Sequence, residues 1–309
     1  MRSFLSRRVH EKVEVSPFLI AGEGRSGTTL LQLMLNSHPD ITCGPEFHFR
    51  GPKDLGPSVL RQLNLIAEND GDIKKTKAET DDKLSLQFVQ RMRRFGVSEA
   101  MLESYILLNM EQNHSNLGSF DARARLILDV VKEVSGQNGT KVFGFKIMRD
   151  HLILKKYRSA YPNCKVLHIT RDGRDVAASQ MIDHPKWGYP SIQSAAKKWA
   201  ESARFALQQT EDKNYLRIKY EDLVLNSRST LTQITSFLGV PFSEAMLDHR
   251  FSNIEWFENA GNHASLKGVS KSVNSSSIGR FKRDLSPNQI KEFEKIARLE
   301  LLAFGYLDE

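Results

Sequence analysis

Residues 17–38 read PFLIAGEGRSGTTLLQLMLNSH, and the fold turns on how this stretch is parsed. Phe18 to Ala21 are apolar without alternation, the pattern of a short strand covered on both faces. Gly22, Gly24 and Gly27 then break the run, and Leu30, Leu31, Met34 and Leu35 recur at helical spacing. Strand, glycine-rich loop and helix follow one another directly. In that order the backbone N–H groups of Gly24, Arg25, Ser26, Gly27, Thr28 and Thr29 and the helix N-terminus form a natural anion site. The spacing of Gly22 and Gly27 matches the opening of a nucleotide phosphate loop, yet Thr28 stands where the triphosphate-binding version has lysine. Arg25 adds a planar fork of donors.

Working outward, two more apolar, β-rich runs occur at 140–148 (TKVFGFKIM) and 164–170 (CKVLHIT), with the helical pattern HLILKKYRSAY between them. The second run leads through RDGRDVAASQM into another helix, and YLRIK at 215–219 supplies a further strand before STLTQITSFLGV. Strands alternating with helices predict an α/β chain, a phosphate-loop-like parallel sheet flanked by helices. The whole chain, 1–309, reads as one domain in which 52–138 is a mostly helical insertion, a natural place for acceptor specificity. Residues 248–280 are rich in Asn, Ser and Gly without periodicity, and such loops are often functional; this one is expected to order over a bound nucleotide. The tail predicts a last helix, N-capped by Ser286 with Pro287 in its first turn.

At 309 residues and 40% hydrophobic composition the chain holds enough material for a large core. Its formal net charge of +7 suits an anionic ligand, and equally a basic surface or a nucleic-acid footprint. Two cysteines, Cys43 and Cys164, are too few for a disulfide framework and point to a reducing compartment. The opening MRSFLSRRVHEKVEVS has no apolar stretch of signal-peptide length, and no later segment approaches a membrane span. The expectation is a cytoplasmic protein without a membrane or nucleic-acid partner.

A second anion motif follows the strand VLHIT: Arg171-Asp172-Gly173-Arg174-Asp175, then a helix start with Ser179. Arg171 offers charge and Ser179 a hydroxyl, and both can converge on one phosphate. Asp172 is alternatively the magnesium-binding Asp of a nucleoside triphosphatase, a reading that the arginine before it and the absent lysine both weaken. PFLIAGEGRSGTTLL and VLHITRDGRDVAAS together resemble the 5′-phosphosulfate loop and the 3′-phosphate motif of sulfotransferases that use 3′-phosphoadenosine-5′-phosphosulfate (PAPS). YLRIKYEDLVLNSRSTLTQITSFLGVP is similar to the segment this family carries next. RSGTTLLQLMLNSHPDITCGPEFHFR is most similar to tyrosylprotein sulfotransferases and related bacterial enzymes.

The resemblance implies sulfuryl transfer from PAPS to a small-molecule or peptide acceptor, with PAP as product and no metal. It implies Glu46 as general base, expected in a loop at the mouth of the site, although Pro45 stands where another acidic residue is expected. His48 is the rival base. By the same resemblance Lys146 contacts the leaving and transferring oxygens, Arg25 assists, and Ser265 and Lys271 match the serine and lysine of a late loop. Tyr220 matches an aromatic residue near the nucleotide, and Arg280 reaches toward the 3′-phosphate. Two other readings remain open at this point. A small-molecule kinase would need a substitute for lysine at Thr28, and a non-catalytic nucleotide- or nucleic-acid-binding protein would leave Glu46 and Lys146 incidental.

Overall fold

The structure, a computed structural model, describes residues 16–47, 53–113, 115–148, 152–183, 188–248 and 273–308. His48, Ser265 and Lys271, and with them most of the 248–280 loop, lie outside the described residues. Five strands form one wholly parallel sheet: β1 (Phe18–Gly22), β2 (Ile41–Glu46), β3 (Val142–Met148), β4 (Lys165–Thr170) and β5 (Tyr215–Lys219), in the order β2-β3-β1-β4-β5. The helix α1 (Thr28–Asn36) carries the chain from β1 to one edge, whereas the connection out of β4 leads to the other edge. The carboxyl ends of β1 and β4 therefore border the point where the connections diverge, the crevice in which open α/β sheets bind ligands.

Both sheet faces are covered, which is why β1 reads as apolar throughout. Leu19 and Ala21 face a core shared with Phe145, Ile147 and Val166, and Phe18 and Ile20 face another containing Leu31, Leu35, Leu167 and Ile218. Between β2 and β3 run α2 (Leu55–Glu68), α3 (Ile73–Glu79), α4 (Lys83–Arg94), α5 (Glu99–Asn113) and α6 (Phe120–Gln137). Their Val59, Ile66, Val89, Leu126 and Val130 belong to the same core as Leu19 and Phe145. These helices are thus a covering layer of the sheet.

After β3 come α7 (Leu154–Ala160), β4, α8 (Gly173–Asp183) and α9 (Ile192–Leu207). Beyond β5 lie α10 (Tyr220–Leu225), α11 (Ser227–Leu238), α12 (Phe281–Asp284) and α13 (Pro287–Ala303). A third core joins α8, α9 and α13 around Trp199 and Phe293. At the start of α13 the Ser286 side chain accepts from Gln289 N while the Gln289 side chain accepts from Ser286 N, a reciprocal capping box with Pro287 in the first turn.

The strand β2 is not visible in the sequence pattern, since Ile41–Glu46 (ITCGPE) contains glycine and proline. It forms because it is an edge strand, where Pro45 needs no ladder donor, and its pairing with β3 shifts register between Gly44 and Glu46. The expected position of Glu46 in a loop is corrected accordingly. It is the last residue of a strand.

Candidate active site

The phosphate loop is held by close backbone approaches. Gly22 has φ +146°, and a Cβ there would lie 2.4 Å from the carbonyl oxygen of Ile169 in the neighbouring β4. Gly27 has φ +99°, and its Cβ would lie 2.5 Å from the Tyr220 ring. Neither position accepts a side chain. Arg25 is not glycine yet has φ +75°, a strained backbone. Its carbonyl accepts from Arg171 Nη1 at 3.2 Å, and the adjacent turn closes through Ser26 N to Glu23 O at 3.1 Å. Buried Glu23 accepts from Gly24 N at 3.0 Å and from the Tyr189 hydroxyl at 2.8 Å, while Gln180 Nε2 donates to Gly24 O at 3.0 Å.

Three buried donors around this loop have no hydrogen-bond partner, Ser26 Oγ, Thr170 Oγ1 and Arg171 Nε, as does one acceptor, Oε1 of the Gln180 side chain bonded to Gly24. Buried groups left in this way cost roughly 1–3 kcal/mol each, and the donors fit a ligand that brings acceptor oxygens. The loop follows β1, Thr170 ends β4 and Arg171 follows it, so these residues lie at the carboxyl ends of two neighbouring strands.

Arg171, at the end of β4, is buried against the face of Tyr220, its guanidinium carbon 4.6 Å from the ring centroid. It also pairs with Asp175 at 3.5 Å and donates to the Ser277 carbonyl. Arg25 Nε donates to Ser179 Oγ at 3.1 Å, and that hydroxyl donates to Asp183, 3.1 Å away. Arg280 closes the group, donating to both oxygens of Asp183 at 2.7 and 3.2 Å and pairing with Asp284. Burial alone would raise the Asp183 carboxyl, but hydrogen bonds from Arg280 and Ser179 and the charges of Arg280 and Arg25 hold it below its ordinary value. The structure thus brings Arg25, Arg171, Ser179, Tyr220 and Arg280 together, with Asp183 among them.

Asp183 is missing from the sequence reading. Its spacing of four residues from Ser179 on a helix was the available signal. Asp172, the candidate metal ligand, is instead gripped by Arg174, whose Nε and Nη2 donate at 3.1 and 2.7 Å. Among the described residues no group of three or more His, Cys, Asp or Glu is arranged to hold a metal ion.

On the other side of the loop, Lys146 of β3 is 5% exposed, and its ammonium donates to Thr29 Oγ1 at 3.2 Å. Its register partner across the strand pair is Glu46. Burial lowers the Lys146 pKa, Glu46 pulls it up, and Arg91 and Arg25 lower it further. Arg91 belongs to α4; burial lowers its pKa and Glu46 opposes. A guanidinium stays charged under such a shift. Arg91 also escaped the sequence reading, because the run RMRR resembles an ordinary solvated helix face. Glu46, Lys146 and the glycine loop are thereby contiguous: Glu46 is beside Lys146 in the strand register, and Lys146 is bonded to the first turn of α1.

The family model described as Sulfotransferase family matches residues 17–244. Protein-tyrosine sulfotransferase A of Caenorhabditis elegans is 26% identical over 310 residues, covering 94% of this chain and 67% of the relative. Protein-tyrosine sulfotransferase of Drosophila melanogaster is 24% identical, covering 97% of this chain and 54% of the relative. The chain therefore spans between about half and two thirds of the length of these relatives. Among solved structures, the sulfotransferase domain of the Synechococcus PCC 7002 olefin synthase superposes with a TM-score of 0.59 at 21% identity, covering 94% of this chain and 98% of that domain. The sulfotransferase domain from the curacin biosynthetic pathway does so with a TM-score of 0.55 at 20% identity, over 92% and 97%. At these identities the two domains speak for the fold alone.

Proposed function

This protein belongs to the sulfotransferase family, and from that premise we propose that it transfers the sulfuryl group of PAPS to a hydroxyl or amine acceptor by in-line displacement, releasing PAP. The observation that carries the proposal is the contiguity of Glu46, Lys146, Thr29 and the glycine loop at one end of the sheet. The loop with Arg25 would hold the 5′ end of the donor, and Ser26 Oγ, Thr170 Oγ1 and Arg171 Nε have unsatisfied capacity suited to its oxygens. Arg171, Ser179 and Arg280 would take the 3′-phosphate, exchanging contacts now made to Asp175, Asp183 and Asp284. PAPS supplies an activated sulfuryl group whose S–O bond to the 5′-phosphate breaks.

Glu46 accepts the acceptor's proton as the new bond to sulfur forms. Lys146 stabilises the electron pair left on the departing 5′-phosphate oxygen, and because it is buried its charge acts in a site of low dielectric. No side chain in this scheme calls for a metal. The helices α2–α6, of which α4 and α6 pack on β2, are the proposed acceptor-specificity region. Since the relatives are named for protein tyrosine, a tyrosine hydroxyl in a peptide stands beside small-molecule hydroxyls and amines among acceptors to test. A cytoplasmic setting is part of the proposal; it is supported by two free, buried cysteines, and no helix among the described residues is long and apolar enough to cross a membrane.

A panel of peptide, phenol, alcohol and amine acceptors with labelled PAPS, together with calorimetry of PAP, tests the reading. Label transfer and PAP binding are expected. Tighter binding of ATP with magnesium than of PAP would favour a kinase, and PAP binding without transfer to any acceptor would favour a binding protein.

A further inference from the structure

The helix α4 is fastened to β2 directly behind the proposed base. Phe47, the residue after Glu46, is fully buried, and its ring meets Phe88, Phe95 and Phe145 at centroid distances of 6.5, 6.4 and 5.5 Å. Its amide donates to the Lys146 carbonyl at 3.1 Å, so backbone and ring are both fixed. Phe88 and Phe95 lie three residues before and four after Arg91, which puts all three on one face of α4 and its C-terminal end. The contacts that lock Phe47 therefore set Arg91 on the side of α4 that packs on β2.

We propose that Arg91 is a positioning residue for Glu46: its guanidinium, carried in by α4, draws the carboxylate to the acceptor side and keeps it from collapsing into a closed ion pair with Lys146. Glu46 is the register partner of Lys146 on β3, and its charge pulls up the pKa of both Lys146 and Arg91 of α4. With Lys146 alone, the carboxylate and ammonium would satisfy each other, and neither would be available for proton acceptance or for the leaving oxygen. Competition from Arg91 leaves Lys146 able to donate to Thr29 and toward the phosphate loop. Among the described residues, Arg94 also acts on Arg91, and Arg25 of the loop and Cys43 of β2 act on Lys146. Burial raises the pKa of that thiol, which keeps it neutral. The electrostatic link runs from the helical layer proposed to bind the acceptor to the group proposed to deprotonate it.

The inference rests on Glu46 being the proton acceptor, and it has a readout that needs no acceptor. The Glu46 carboxyl is titrated by carbon NMR in the full-length protein, its resonance identified by loss in Glu46→Gln, with Arg91→Met, Arg91→Lys and Arg94→Met compared with wild type. Arg91→Met keeps the apolar stem and removes the charge. It is expected to raise the carboxyl midpoint by about 1 pH unit, since an adjacent cation favours the ionised form. Arg91→Lys should restore most of the shift, Arg94→Met should move it much less, and PAP affinity by calorimetry should stay within about twofold of wild type throughout. An unchanged midpoint in Arg91→Met, an equal rise in Arg94→Met, or no recovery in Arg91→Lys would overturn the assignment. Should Arg91→Met not fold, Arg91→Lys against Arg91→Gln gives the same comparison. Absence of sulfuryl transfer by the wild-type protein would count against the proposed reaction and leave the Arg91–Glu46 coupling decided by the titration.

Discussion

Glu46 faces Lys146 across β2 and β3, Lys146 is bonded to Thr29, and Asp183 is paired with Arg280, so their expected substitution phenotypes differ. Glu46→Gln keeps the shape of the side chain and removes the proton acceptor, so kcat for the acceptor found by screening should fall roughly 10²–10⁴-fold with PAP affinity near wild type. A large loss of PAP affinity instead would show that the carboxylate organises the cations around the loop. Lys146→Met should also lower kcat, and it should weaken PAP because the lysine is bonded to Thr29 in the phosphate-loop helix. Asp183→Asn has the opposite sign for binding. The carboxylate occupies Arg280 and Ser179, both proposed to hold the 3′-phosphate, and repels that phosphate. Its loss should tighten PAP several-fold, while adenosine 5′-phosphosulfate, without a 3′-phosphate, changes little in the same calorimetric titration. Equal changes for both ligands would remove Asp183 from the 3′ site. The folded-state pKa of Asp183 is depressed, so its pairing stabilises the fold above the unfolded carboxylate value of about 3.9 and is lost as pH falls through the folded value. In Asp183→Asn that part of the acid-limb dependence of stability should disappear, as denaturant titrations between neutral and acid pH can measure.

Among the elements, β2 and α4 carry the most consequence for the least sequence signal. Phe47→Ala removes a ring that joins β2, β3 and α4 and should cost about 3–5 kcal/mol. Because the same contacts aim Arg91, turnover should fall more than the loss of folded protein explains; proportional losses would show that Phe47 matters for stability only. The elements bordering the glycine loop were readable because their chemistry is local: apolar runs mark β1, β3 and β4, glycines at positive φ mark the loop, and Ser286 with Pro287 marks the start of α13. Arg25, Arg171, Ser179 and Arg280 were likewise singled out, and they stand together in the fold. β2 was not readable, since its edge position is a property of the sheet and Gly44 and Pro45 argue against a strand. Arg91 was unreadable for a related reason. Its neighbours Arg93 and Arg94 make a basic run, and only tertiary contacts on Phe88 and Phe95 decide which of the three turns inward.

Across the whole molecule, the proposed nucleotide site is the seam between the cores. The phosphate loop and Arg171 extend from the central strands, α8 and Trp199 belong to the third core, and Trp199 Nε1 donates to the Arg171 carbonyl at 2.9 Å. Asp175, fully buried, accepts from Gly279 N at 2.8 Å and Phe281 N at 3.0 Å, tying the start of α12 to the same place. A ligand spanning Ser26, Arg171 and Arg280 would brace the sheet end against α12, which meets it through the bonds to Asp175 and Asp183. PAP at about one hundred times its dissociation constant should therefore raise unfolding free energy by about 2.7 kcal/mol, read as a rise of several degrees in the thermal midpoint. Adenosine 5′-phosphosulfate at the same concentration should give a smaller rise, because it cannot engage the 3′ group. Arg171→Ala should lower the midpoint without ligand, since the guanidinium stacks on Tyr220, pairs with Asp175 and donates to Arg25 and Ser277. It should also cut the PAP-induced rise at fixed concentration, having lost a charge-assisted contact worth roughly 1.5–3 kcal/mol. A variant that keeps the full PAP-induced rise would show that Arg171 only holds the seam together and that the 3′-phosphate is bound by other groups.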